Sequence, residues 1–279
     1  MASMEHPIGM NSEQHRAFTE NVFWHTVGVV NLVRVQGKTS TGTAISVEEM
    51  GAGSACSWMG KKLVLTAKHV VAGAEPSELA FFTRPSGQIG WVTRDGPPAF
   101  AERVPLRIEE IVESPRQDLA ALILTGGEAD RSQLHFCDLP ACLAPVPSGP
   151  GVTLLIGYPG DQSFPIATVR RRNGSVHHDL VAVPEAFWGS IVDNPPRFLS
   201  SDYDPARHFL LRFDPSEEGS MPHGYSGAGV WYQRSGKHAL WVAQPVLAGL
   251  QTSWYARSKL MVAIRSEVVR EFLEGTLGQ

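Results

Sequence analysis

Gly53-Ser54-Ala55-Cys56-Ser57-Trp58-Met59-Gly60-Lys61-Lys62-Leu63-Val64-Leu65-Thr66-Ala67-Lys68-His69 is the stretch from which the fold is read. Two runs, Gly53 to Trp58 and Leu63 to Ala67, flank Met59-Gly60-Lys61-Lys62, a short glycine-bearing interval that suits a hairpin turn. The same grammar extends in both directions. Upstream lie Thr26 to Val35, bounded by Gln36-Gly37, and Thr41 to Val47. Downstream come Leu79 to Thr83, Val104 to Val112, Leu119 to Leu124, Val152 to Ile156 and Ile166 to Arg172, the last turning at Asn173-Gly174. Phe209 to Phe213, Gly229 to Tyr232, Leu240 to Ala243, Val246 to Thr252 and Leu260 to Ile264 complete the set. Short runs at this spacing, punctuated by turn residues, imply an all-β sandwich or barrels.

Two helices are expected at the ends. Ser12 caps one that runs through Glu20, and Ser266 begins another in which Val268, Val269, Phe272 and Leu273 share a face. Pro140 to Pro150 reads as a linker between two β units. The chain thus divides into an N-terminal segment 1–24, a β unit 25–145 and a β unit with the terminal helix 146–279. Residues 184–208 show no clear period and read as a surface excursion.

The composition agrees. The 27 glycines and 20 prolines among 279 residues are about 17% of the chain, against roughly 12% on average, which argues against a helical bundle. Charged residues make up 19%, and the net charge of −4 gives no electrostatic case for nucleic acid. Met1 to Asn11 holds no Lys or Arg and no apolar core of a secretory signal follows. Ala239 to Leu250, interrupted by Gln244, is too short to span a bilayer. Three cysteines cannot pair completely and are expected as free thiols. The expectation is a soluble, cytoplasmic protein with no membrane and no nucleic-acid partner.

Three segments carry chemistry as a set. Leu63 to Ala67 runs into a turn that presents His69; Asp118 opens the apolar run Leu119 to Leu124; Gly224-Tyr225-Ser226-Gly227 sets a serine between glycines before Gly229 to Tyr232. Singly, each has a plain reading: a packed histidine, a turn-capping aspartate, a glycine-rich turn. Together they supply a hydroxyl, a base to take its proton and a carboxylate to orient the base. The order His, Asp, Ser is one known solution to that geometry. The order Ser, acid, His fails, because only His238 and no Asp follows Ser226 and the remaining glutamates come after that histidine.

Thr66-Ala67-Lys68-His69, Asp118-Leu119-Ala120 and Gly224-Tyr225-Ser226-Gly227 resemble the three signature blocks of trypsin-like serine peptidases of the chymotrypsin fold (PA clan). Gly51-Ala52-Gly53-Ser54-Ala55-Cys56 resembles the strand before the histidine block in bacterial HtrA/V8-type proteases, here without a PDZ domain. Gly157-Tyr158-Pro159-Gly160 is similar to their turn between barrels. The resemblance implies two six-stranded antiparallel β-barrels with the active site between them and a C-terminal helix. It implies a serine endopeptidase acting through an acyl-enzyme, with Ser226 as nucleophile, His69 as base then acid, and Asp118 as its orienter. The N–H groups of Gly224 and Ser226 would form the oxyanion hole, no cofactor or metal would be needed, and the partner would be a protein or peptide substrate. It also implies Ser220, His223, Thr252 and Trp254 at the substrate; Trp254 is a bulky ring where many relatives have Gly, and is expected to narrow the cleft and restrict specificity.

Some features depart from the family. Tyr225 stands where digestive proteases keep an Asp that pairs with a cleaved N-terminus, no cysteine follows His69 immediately, and Ala228-Gly229 replaces Gly-Pro. Maturation by N-terminal cleavage is therefore not expected. Asp179, entering Leu180 to Val183, is the rival orienter, but it falls in the second β unit, where the family keeps no such acid. His177-His178-Asp179 lacks a third spaced metal ligand, Arg170-Arg171-Arg172 reads as a solvated edge, and Cys137 and Cys142 read as incidental thiols. A cysteine hydrolase using Cys56 or Cys137 lacks a glycine-flanked turn. The competing function is an inactive protease-fold binding or scaffold protein. A regulatory partner acting on 184–208 or 1–24 is the expected means of control.

Overall fold

The computed structural model describes residues 10–39, 42–83, 102–104, 106–130, 134–147, 152–159, 164–170, 176–181, 183–193, 196, 199, 202–214, 221–234 and 244–278. Helix α1 (Ser12–Trp24) leads into β1 (Thr26–Thr39), which pairs antiparallel with β2 (Gly42–Trp58), and β2 turns into β3 (Lys61–Thr66). The β2–β3 hairpin forms as read. Trp58 faces Lys61, and Met59 and Gly60 fill a two-residue turn with φ of 48° and 80°, the twist such hairpins favour.

The short helix α2 (Lys68–Val71) follows, then β4 (Leu79–Thr83), β5 (Glu102–Val104), β6 (Ile108–Glu113), β7 (Ala120–Leu124), α3 (Gly126–Ala129), β8 (Cys137–Asp138) and α4 (Leu139–Cys142). The core of the first sheet runs β4-β1-β2-β3-β7-β6, six curled antiparallel strands, with β5 added outside β4 and β8 laid parallel against β2. The second half holds β9 (Val152–Gly157), β10 (Phe164–Arg170), β11 (Val176–Val181), β12 (Glu185–Ser190), β13 (His208–Arg212), β14 (Gly229–Gln233), β15 (Pro245–Tyr255), β16 (Leu260–Arg265) and α5 (Ser266–Leu277). Its sheet runs β12-β9-β14-β15-β16-β13. A bridge between Ile191 and Leu211, with Val192 N–H donating to Leu210 O at 2.9 Å, brings its two outer strands together. The expected all-β architecture of two curled six-stranded sheets and a C-terminal helix is what forms.

Burial on both faces explains why β3 and β7 read as unbroken apolar runs. On β3, Val64 faces the first barrel's interior with Val27, Val29, Phe81 and Leu122. Leu63 and Leu65 face outward into a larger cluster that takes Phe18 and Val22 from α1, Leu154 and Ile156 from β9, Trp231 from β14, and Val269 and Leu273 from α5. That cluster belongs to both barrels. The second barrel's own interior holds Leu155, Phe187, Leu211, Phe213, Tyr225, Val230 and Met261.

Four expectations change. Helix α1 extends to Trp24 and is capped by Asn11 rather than Ser12: the Asn11 side chain accepts from Gln14 N–H at 2.9 Å and Gln14 returns the bond at 3.0 Å. The runs Thr41 to Val47 and Gly53 to Trp58 belong to one strand, with a register shift at Asn31/Leu32 that absorbs an extra residue. Val104 to Val112 divides between β5 and β6, with Pro105 in the interval. Residues 184–208 are not all excursion, because β12 lies inside them, pairs with β9 and buries Phe187. A Cβ on Gly189 would sit 2.7 Å from the Phe187 ring, so the glycine that blurs the strand pattern is there for Phe187. The run Leu240 to Ala243 and Ser220 lie outside the described residues.

Candidate active site

Strand β3 ends in Thr66, buried, with its hydroxyl donating to Ala52 O at 2.7 Å. Ala67 leaves the strand in an extended conformation and α2 begins, which turns His69 out of the barrel. Opposite it, the β6–β7 connection is tied by Ser114, whose hydroxyl accepts from the N–H groups of Arg116 and Gln117 at 3.4 and 3.2 Å. Ser114 N–H also donates to Leu119 O at 2.8 Å, and Lys68 Nζ to Ser114 O at 3.0 Å. These bonds hold Asp118 beside α2.

Asp118 then grips His69 twice. Its Oδ2 lies 2.7 Å from His69 Nδ1 and its Oδ1 accepts the His69 backbone N–H at 2.9 Å. An ionised carboxylate only accepts, so Nδ1 carries the proton and Nε2 is left with its lone pair. The hydrogen bond to Asp118 raises the His69 pKa above 6.5, against burial that lowers it. Burial pushes Asp118 upward, but the His69 ring, its backbone N–H and the Lys68 charge together hold it below 3.8.

Ser226 sits in a turn between Gly224 (φ 98°) and Gly227 (φ 87°), values that only glycine adopts readily. The turn is bonded almost throughout. Tyr225 N–H donates to Pro222 O (3.2 Å), Gly227 N–H to Gln251 O (2.7 Å) and Ala228 N–H to Tyr225 O (2.8 Å). The Gly224 carbonyl accepts from Tyr158 N–H (3.0 Å) and the Ser226 carbonyl from Ala52 N–H (2.8 Å). Among the described residues, the N–H groups of Gly224 and Ser226 find no acceptor. Two free amides beside a serine are what an oxyanion site requires.

Close packing brings the serine turn to the histidine turn. A Cβ on Gly51 would meet Ser226 O at 2.5 Å and the Val70 methyls at 2.7 and 3.0 Å, so the Ser226 turn and the residue after His69 meet over that glycine. A Cβ on Gly227 would likewise meet Ala52 O at 2.2 Å and Ala67 N at 2.8 Å. Among the described residues Ser226 Oγ makes no hydrogen bond to the imidazole; such bonds commonly tighten when substrate arrives.

The other expected site residues are less uniform. His223 is exposed beside Gly224, Thr252 is buried on β15, and Trp254 is half-buried against the second barrel's interior. Asp179 lies on β11, opposite Ile166 in a separate two-stranded ribbon, and the side chains of His177, His178 and Asp179 are outside the described residues. The three cysteines do converge. Cys56 pairs across strands with Cys137, which donates to its sulfur at 3.4 Å, and Cys142 joins them, all free and buried. They are free thiols, as expected, and their convergence was not visible in the sequence because the parallel placement of β8 on β2 leaves no local pattern. Burial pushes the Cys56 thiol upward, the wrong direction for a nucleophile.

Among the described residues no helix is long and apolar enough to cross a membrane. No protein-family model and no curated protein matches this chain. The two curled antiparallel sheets are compatible with the double-barrel chymotrypsin-like fold.

Proposed function

We propose that the protein is a serine endopeptidase. The observation that carries this reading is an Asp118-oriented His69 beside a serine turn whose Gly224 and Ser226 amides find no acceptor among the described residues. His69 Nε2 takes the Ser226 hydroxyl proton as Oγ attacks the scissile carbonyl. The carbonyl oxygen gains charge and is met by the two free N–H groups. The imidazolium then protonates the departing amine, and a water activated by the same Nε2 releases the acyl group. The buried free thiols suit a reducing, intracellular compartment, and the bulk of Trp254 on β15 supports restricted specificity. The missing Ser226–His69 hydrogen bond is the feature that favours the rival, a binding protein on this fold.

A fluorophosphonate probe with intact-mass readout separates the two. The wild-type protein is expected to gain one adduct, mapped to Ser226, and Ser226→Ala none. Ser226→Ala is also expected to lose nearly all peptide hydrolysis, keeping at most the residual acceleration of binding and oxyanion contacts. A folded wild-type protein that stays unlabelled and cleaves nothing in a peptide library rules the peptidase out.

A further inference from the structure

We propose that Tyr158 is a positioning residue that sets the oxyanion turn from the opposite barrel. The inference rests on the peptidase reading and names a residue through which that site is held.

Tyr158 follows β9 and belongs by chain order to the second barrel, yet its ring does not stay there. It lies flat on Gly28 of β1: a Cβ on Gly28 would be 3.2 Å from each of three ring carbons. Its hydroxyl donates to Phe82 O of β4 at 3.3 Å, and the side chain is fully buried. Burial raises the phenol well above its ordinary pKa, so it remains a neutral donor. The backbone of the same residue faces the other way. Tyr158 N–H donates to the Gly224 carbonyl at 3.0 Å, and a Cβ on Gly224 would fall 2.0 Å from Tyr158 O and 3.0 Å from Pro159 Cα. Gly224 is therefore seated directly on the Tyr158–Pro159 peptide.

Ser226 is held from the same row of the first barrel. Gly28 is the cross-strand partner of both Phe82 and Ala52, and Ala52 N–H donates to the Ser226 carbonyl at 2.8 Å. One row on β4-β1-β2 thus reaches both oxyanion donors, Ser226 directly and Gly224 through the Tyr158 ring. His69 and Asp118 stand on that barrel too, so the ring keeps the donors in register with the base. A merely space-filling aromatic would behave like Tyr225, which packs among Phe187 and Phe213 of its own barrel.

The test compares Tyr158→Leu, which removes the ring, with Tyr158→Phe, which keeps it, and with Gly28→Ala, which pushes on the ring from a strand remote from the substrate. Each is measured for kcat, KM, pH profile and inhibition by a peptide aldehyde, whose hemiacetal oxygen occupies the oxyanion site. For Tyr158→Leu we expect kcat to fall about 10-fold or more while KM stays within about threefold. Aldehyde affinity should fall with kcat, and the acidic limb of the pH profile should not move. Tyr158→Phe should remain close to wild type. Kcat within about twofold of wild type in folded Tyr158→Leu overturns the proposal, as does a loss accompanied by a shifted pH limb, or a Phe variant as impaired as Leu. If Tyr158→Leu does not fold, Gly28→Ala decides: a severalfold drop in kcat at constant KM supports the strut, and unchanged kcat overturns it. Absence of turnover and probe labelling in the wild type is a different outcome, the failure of the peptidase reading itself, and it removes this proposal with it.

Discussion

His69 and Asp118 shift each other's protonation in opposite directions, and activity and stability feel this differently. On the proposed peptidase reading His69 is the base and must be neutral, so kcat/KM is expected to rise with pH along a limb centred above 6.5, where the Asp118 bond has moved it. Stability follows the other sense. The raised His69 pKa means its share is complete below 6.5 and is lost as pH rises through the folded value; the lowered Asp118 pKa means its share is complete above 3.8 and is lost as pH falls. The single interaction they share is therefore fullest between 3.8 and 6.5, below the range in which the proposed base would be neutral. Asp118→Asn is expected to cost about 10⁴ in kcat, to move the acidic limb downward, and to flatten the pH dependence of thermal unfolding in that window. A limb that stays in place would place the partner of His69 elsewhere. These residues were legible because each sits at an end of an apolar run or between glycines. Tyr158 belongs to the Gly157-Tyr158-Pro159-Gly160 stretch, but its contact with β1 and β4 was not legible, because Phe82 is 76 residues away and Gly28 advertises nothing by itself.

Among the elements, α1 was expected within the segment 1–24, outside the β units and, beside 184–208, one of two candidate seats of control. Its packing makes it part of the core: Phe18 is fully buried beside Val22 in the cluster shared with Trp231 and Leu273. Trp188 of β12 stacks on His15 at 4.1 Å, and His25, just past the helix, stacks on Trp231 at 5.6 Å. Phe18→Ala is expected to destabilise the fold by about 3–5 kcal/mol, read from urea unfolding, while kcat of the folded fraction stays near wild type. Truncation through Trp24 should then behave as a stability defect. A truncated protein that is as stable as the full chain would overturn this structural role for α1. The two rows of apolar residues on β3 and β7 made those strands plain in the amino-acid sequence. β12 was obscure because Gly189 interrupts its alternation, and β8 because two residues are too few to show a period.

At the scale of the molecule, the outer faces of both barrels and both terminal helices meet in one apolar cluster. The linker is stitched to the second barrel from within. Leu143 bridges Leu247, Ala144 N–H donates to Leu247 O at 3.2 Å, and Ser266 Oγ donates to Ala144 O at 2.7 Å. Division into 25–145 and 146–279 follows the chain, but it cuts through this cluster and separates His69 from Ser226. Each half alone would expose the side chains that the other covers, Leu63 and Leu65 on one and Leu154, Ile156 and Leu247 on the other. Burial of that surface is the main favourable term in folding and is available only when both halves are present. The barrels are therefore expected to unfold together: in urea, tryptophan fluorescence, far-UV circular dichroism and fluorophosphonate labelling of Ser226 should share one midpoint. The separately expressed halves should be unfolded or aggregated. Two resolved transitions, with labelling lost in the first while half of the β signal persists, would mean that the cluster does not couple the barrels.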